Sequence, residues 1–194
     1  MADIIDNKLW EWVQGKDAED PKIAIYNRIR DIPYAVIPDL ISHEQYLDML
    51  KLNRGSCTPK HFLLCNMYQR IGLDVLYAVY PFMWGSGEFE MVYPPELREL
   101  AKSMPVSYHL ACKVDIDGKL IVVDATLDPP LGQLGLPVNK DWDGIRDTLL
   151  AVNPLGEERL YHPSEACLME PRIADEQSLA FYKALNSWLD ELRG

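Results

Sequence analysis

The sequence predicts an α+β domain in which a central helix packs on an antiparallel sheet, with helices before it and one after. Three observations carry this. Residues 58–71 hold Phe62, Cys65, Tyr68 and Ile71 at helical spacing, with Pro59 in the first turn and Gly72 at the stop. The β-rich run VLYAVYPF follows at residues 75–82. Residues 107–125 then alternate around Asp117-Gly118, a strong two-residue hairpin signal. Helices come first, then the buried helix, then strands, an order that suits α+β rather than α/β. The 194 residues, 48% of them hydrophobic, suit one domain over 1–194 with one core.

Taken in order, residues 4–13 read as a helix stopped by Gly15. Asp20-Pro21 starts a second helix, with Ile23, Ile25, Tyr26 and Ile29 as its apolar positions. Pro33 and Pro38 mark a connection. Ser42 with Gln45 three residues on makes a capping-box pattern for a helix running to about Lys51. Arg54-Gly55-Ser56 breaks the chain before the central helix. Residues 84–87 read as a loop and 95–102 as a short helix. In the first hairpin strand Tyr108, Leu110, Cys112, Val114 and Ile116 form an apolar face, and His109, Ala111, Lys113 and Asp115 a polar one. Residues 129–139 are loop-like. The stretch 173–192 is an amphipathic helix with Leu179, Tyr182, Leu185, Leu189 and Leu192 on one stripe.

The formal net charge is -11, which argues against nucleic acid and against an anionic membrane as partners. No run approaches the roughly 20 apolar residues that span a bilayer. The first residues lack a basic segment followed by an apolar one, so no signal peptide is expected and the cytoplasm is the default location. The four cysteines form no CxxC pair and should be free thiols there. The four histidines show no ligand spacing such as HExxH, so neither a metal nor another cofactor is expected.

One constellation carries chemistry. Cys57 follows a glycine-containing break and opens the central helix, where free N–H groups and the helix dipole stabilise a thiolate. His109 lies on the polar strand face. With Asp117-Gly118 as the loop, Ile116 pairs with Lys119 and Ala111 falls opposite Asp124, so His109 is diagonal to Asp124 on one face. A carboxylate there can orient the imidazole as a base for the thiol. His61, one helical turn after Cys57, is a rival base without an obvious carboxylate. Asp128 is a rival for Asp124, but precedes Pro129-Pro130. Cys65 and Cys112 read as core. His43, His162 and Cys167 join no constellation. Trp84, Trp142 and Tyr93 are candidates for lining a groove.

Arg54-Gly55-Ser56-Cys57 with its helix, Gly72-Leu73-Asp74-Val75, His109-Leu110-Ala111 and Asp124-Ala125-Thr126 together resemble the transglutaminase-like branch of the papain-like cysteine proteins, over roughly residues 52–131. The resemblance implies a papain-like core with Cys57 as nucleophile, His109 as base and Asp124 as its partner. It also implies a thioester formed from a peptide, protein or small amide substrate, then resolved by water or by an amine. An arylamine N-acetyltransferase-like acyl transferase shares the Arg-Gly-x-Cys flavour and the His-to-Asp spacing. A catalytically silent scaffold with the same fold is the non-enzymatic alternative. It draws on two departures: Ala111 and Leu120 stand where many relatives carry aromatics. The Cys57 N–H is one oxyanion donor, and the second is not legible in the sequence.

Overall fold

The computed structural model describes residues 3–14, 20–168 and 174–194. Two aspartates start the first helices. Asp3 accepts the Ile5 N–H to cap α1 (Ile4–Val13), and Asp20 accepts the Lys22 N–H to cap α2 (Pro21–Arg30), whose Pro21 needs no N–H partner at the first position. Gly15 lies outside the described residues. The capping box at Ser42 forms locally, with Ser42 Oγ accepting the Gln45 N–H at 3.1 Å, but no helix grows from it. A 3₁₀ turn (Pro38–Ile41) precedes it, and α3 covers only Asp48–Leu52. The His43 and Tyr46 rings pack edge-on to Phe62, at 5.4 and 5.7 Å, and this anchoring sets the path of the chain there. Asn53, with φ 49°, ends α3 in the left-handed region.

The central helix α4 (Cys57–Arg70) lies on a four-stranded antiparallel sheet of order β3-β2-β1-β4. The strands are β1 (Val75–Phe82), β2 (Ser107–Ile116), β3 (Lys119–Val123) and β4 (Arg159–Tyr161). The hairpin has the expected register: Ile116 pairs with Lys119 and Cys112 with Val123, without a bulge. Asp117 and Gly118 both have positive φ, 54° and 83°, as a tight turn with the twist of the strands requires. Val75, Tyr77, Leu110, Cys112 and Val114 pack against Phe62, Cys65 and Tyr68 of α4. The approach is close enough that Cys65 Sγ and Cys112 Sγ lie 2.8 Å apart.

Three expectations are corrected, and two elements are added to those the sequence predicts. The strand face bearing His109 and Ala111 is not solvated: Ala78, Tyr80 and Ala111 form a small buried cluster there, with Val122 and Leu150 packed on it. Residues 148–151 cover it, held by the Thr148 N–H on the Val122 carbonyl. Tyr108, expected on the apolar face, is 47% exposed. Residues 87–92 form a short helix, α5, before α6 (Pro95–Lys102), and β4 adds an edge strand to β1. The last helix, α7, is Glu176–Arg193, with Asp175 accepting the Ser178 N–H as its cap; Ile173, its expected first residue, lies outside the described residues. Its buried stripe contains Phe181, Leu185 and Leu189, whereas Leu179 is exposed, because the turn that meets Trp84 and Tyr93 is the one bearing Phe181.

Buried polar contacts pin these layers. Lys60 is fully buried in α4, and its Nζ donates to the Arg30 carbonyl (3.0 Å) and the Thr126 carbonyl (2.7 Å). Burial pushes its pKa down to about 7, outweighing the attraction of Asp128 and Asp124. Arg193 makes a two-point ion pair with buried Asp128, and Asp128 also accepts the Tyr34 N–H. Asp128 is therefore committed to tying α7 to the chain before α4. Among the described residues no helix is long and apolar enough to cross a membrane.

A lowered lysine pKa makes stability depend on pH with a definite sign. Between about pH 7 and pH 10 the unfolded chain binds a proton at Lys60 that the folded chain does not, so Lys60 contributes a rise in stability with pH across that window, while His109, whose pKa folding raises to about 10, contributes a fall. Urea denaturation at several pH values should show the Lys60 contribution missing in Lys60→Met, whose stability falls more steeply with pH than that of the wild type. That variant should also lose about 2 kcal/mol or more at every pH, because two buried carbonyls are left without a donor.

Candidate active site

The site begins with the glycine before it. Gly55 donates its N–H to the Pro33 carbonyl and accepts the Ala35 N–H, which fixes the chain as it enters α4. A Cβ at Gly55 would lie 2.6 Å from Met49 Sδ and 3.2 Å from Pro59 Cγ, so only glycine allows this close approach. Ser56 is extended, and Cys57 is the first residue of the helix. The Cys57 and Thr58 N–H groups open the helix and have no acceptor within it. Cys57 is half-buried, and its Sγ lies 3.9 Å from Thr58 Oγ1.

The hairpin delivers the other two residues. His109 Nε2 lies 2.8 Å from Asp124 Oδ2, and both side chains are buried. With Nε2 on the carboxylate, Nδ1 is the nitrogen that meets the Cys57 thiol. Asp124 is held on every side. Oδ2 also accepts the Ala151 N–H at 2.8 Å, Oδ1 accepts the Thr126 N–H at 2.9 Å, and its backbone N–H donates to Thr148 Oγ1 at 2.7 Å. Tyr26 of α2 donates its hydroxyl to the Asp124 carbonyl at 3.1 Å. His109 and Asp124 are thus paired as the hairpin register predicts, and Cys57 lines the same cavity as His109.

The electrostatics follow from this contact order. Burial works against charge on Asp124, but the charge and hydrogen bond of His109, with the Thr126 hydrogen bond, hold the carboxyl well below the usual carboxylate range. Burial would likewise strip the proton from His109, yet Asp124 and Cys57 outweigh it and raise its pKa to about 10. Burial alone would raise the Cys57 thiol. The His109 charge and hydrogen bond, the Leu110 N–H and Thr58 bring it below the ordinary thiol value instead. All three shifts run in the direction that favours a thiolate–imidazolium pair beside a carboxylate.

His61 is not the base. Its Nδ1–H donates to the Cys57 carbonyl at 2.8 Å, and its Nε2 accepts the Ala125 N–H at 3.0 Å, 3.6 Å from Asp124 Oδ1. Both nitrogens are committed, and burial lowers its pKa to about 4, so it is neutral. It fastens the first turn of α4 to the segment bearing Asp124. Cys65 and Cys112 are buried in the core, and burial pushes the Cys65 thiol well up. His43 packs on Phe62 and His162 bonds Ser164 at the surface; neither approaches the site. The side chain of Cys167 lies outside the described residues.

Cys57 and His109 open on a cavity of about 670 Å³. Its aromatic wall includes Tyr34, Phe62, Phe82, Trp84 and Tyr182. Of the expected groove residues Trp84 takes part. Tyr93 is buried in the second core against Trp188, and Trp142 packs on Tyr26. The positions of Ala111 and Leu120 do not line the cavity, so the aromatics missing there are not missing from its wall. Sequence reasoning passed over Thr148, Ala151 and Arg159, which come from segments with no local signature and reach the site only through the tertiary fold, and it placed Tyr182 on the stripe of the last helix without linking it to the cavity. No protein-family model matches the chain, and no curated protein sequence is significantly similar to it.

The close approach at Gly55 gives a test of how Cys57 is placed. Gly55→Ala should cost about 1–3 kcal/mol by crowding Met49, and should slow alkylation of Cys57. Adding Met49→Ala should restore part of the labelling rate, since it removes the atoms a Cβ would strike; thermal unfolding and site-resolved mass spectrometry read the two effects.

Proposed function

We propose that this chain is a thiol enzyme of transglutaminase-like type, with Cys57 as nucleophile, His109 as acid and base, and Asp124 as the residue that orients and charges the imidazole. The observation that carries the reading is the single imidazole shared between the Asp124 carboxylate and the Cys57 thiol, at the wall of a large aromatic cavity. The thiolate attacks the carbonyl carbon of an amide or related acyl group. The Cys57 N–H, at the open end of the helix, points the dipole towards the developing oxyanion, and the neighbouring Thr58 N–H is the natural second donor. Protonated His109 gives its proton to the leaving amine, which departs as the thioester forms. Water or a second amine, deprotonated by His109, then releases the acyl group. Both a peptidase or amidase and an acyl transferase fit this sequence of steps. The chemistry needs a reduced thiol, which a cytoplasmic setting supplies.

The test is the pH profile of iodoacetamide labelling, read cysteine by cysteine. An ordinary thiol of pKa about 8.5 is only a few per cent thiolate at neutrality, so its rate climbs steeply towards pH 9. Cys57 should label faster than Cys65, Cys112 and Cys167 at pH 7, by about tenfold or more over a typical thiol, with a flat profile across neutrality. His109→Ala should remove most of the advantage and restore the climb. Asp124→Asn should weaken it less directly, by loosening and discharging the imidazole. Equal labelling of Cys57 and Cys167, unaffected by His109→Ala, would leave the silent scaffold as the better account.

A further inference from the structure

The cavity wall carries a cation that the triad does not use. Arg159 is the first residue of β4, an edge strand, and its side chain lines the cavity that holds Cys57. It pairs with Val79 of β1, and Val79 pairs with Leu110 of β2. Leu110, Val79 and Arg159 therefore form one row across three strands, on the face that α4 covers. Leu110 is also the residue whose N–H stabilises the Cys57 thiolate. Strands lie about 4.8 Å apart, so the Arg159 backbone stands roughly 10 Å from Leu110 along this row, and both residues line the cavity.

The Arg159 guanidinium has no hydrogen bond or ion pair among the described residues. Arg28, on α2 and away from the cavity, is the other described arginine of which this is true. Arg30, Arg54, Arg70, Arg98, Arg146 and Arg193 all hold a carboxylate or a carbonyl. An arginine left unpaired in a chain of net charge -11 stands out, since carboxylates outnumber it heavily. The nearest in sequence, Glu158, is turned to the opposite face, where it binds Lys113 and Tyr80. Asp175, the other charged residue of the wall besides His109, spends its carboxylate on capping α7.

We propose that Arg159 is the anion-recognising subsite of the Cys57 site, and that the acyl donor carries a carboxylate at the end away from its reacting carbonyl. The proposal rests on the thiol-enzyme reading, and adds the substrate class: an amide or acyl compound with an apolar body, matched to the aromatic wall, and an acidic far end.

Two alkylating probes of one shape test it: 4-(iodoacetamido)benzoate, which holds a carboxylate away from the reactive carbon, and iodoacetanilide, which lacks it. Both act by the same step, displacement of iodide by the Cys57 thiolate. The quantity read is the ratio of their labelling rates at Cys57, which cancels any change in the thiol itself. The wild-type ratio should favour the benzoate by about fivefold at low salt, and should shrink as salt is added. Arg159→Gln should bring the ratio to about one or below, and Arg159→Lys should recover part of it. Rapid labelling by both probes with a ratio unchanged in Arg159→Gln would overturn the subsite and leave the nucleophile standing. Slow labelling by both in the wild type would remove the nucleophile reading and this proposal together.

Discussion

A carboxylate taken out of water must replace its hydration with protein donors, and Asp124 collects them from separate parts of the chain. His109 comes from β2, Ala151 from the covering loop, and Thr126 from the turn that follows β3. His61 approaches from α4, and Tyr26 of α2 secures the backbone carbonyl. Removing one partner from such a buried charge typically costs about 3–5 kcal/mol, so these elements cannot drift apart independently. The same contacts set the electrostatics: they hold the Asp124 carboxyl low, the carboxylate raises His109, and His109 lowers the Cys57 thiol.

The start of α4 is the second half of this arrangement. Lys60 and His61 are adjacent, both fully buried, and both reach across to the strand end at residues 125–126. One uses a long flexible arm with a point charge, the other a rigid neutral ring. Between them they place the helix N-terminus where β3 stops. β3 pairs with β2 only as far as Val123 opposite Cys112, so the β2 backbone beyond it, including Leu110, loses its strand neighbour. The Leu110 N–H is among the groups that lower the Cys57 thiol.

Local signals made much of this legible. Pro59 and Gly72 bracket the central helix to within a residue, and Asp117-Gly118 sets the register that puts His109 diagonal to Asp124. Once the register is known, side-chain geometry does the rest. The burial of the His109 face was not legible, because what covers it arrives from residues some 25 positions downstream and carries no periodic pattern. Neither was the fate of Lys60, since nothing beside a lysine in sequence distinguishes a solvated ammonium from one clasped by two carbonyls. Ser42 and Leu179 mislead for a related reason: a sound local cap and a sound local stripe were overruled by aromatic contacts with Phe62 and Trp84. The cavity wall is the least legible part, being assembled from segments between Tyr34 and Tyr182.

That assembly has a temporal side. A chain emerges from the ribosome in order, and domains settle once their long-range contacts can close. Cys57, His109 and Asp124 are all synthesised well before α7, which supplies Tyr182 to the cavity and reaches back through Arg193 to Asp128 and the Tyr34 carbonyl. Tyr34 lies beside Gly55, two residues from the nucleophile. During synthesis Cys57 therefore passes through a period in which His109 and Asp124 exist but the last wall of the cavity does not. Residue 193 is the clasp that ends this period, fixing α7 against the segment that leads to Cys57.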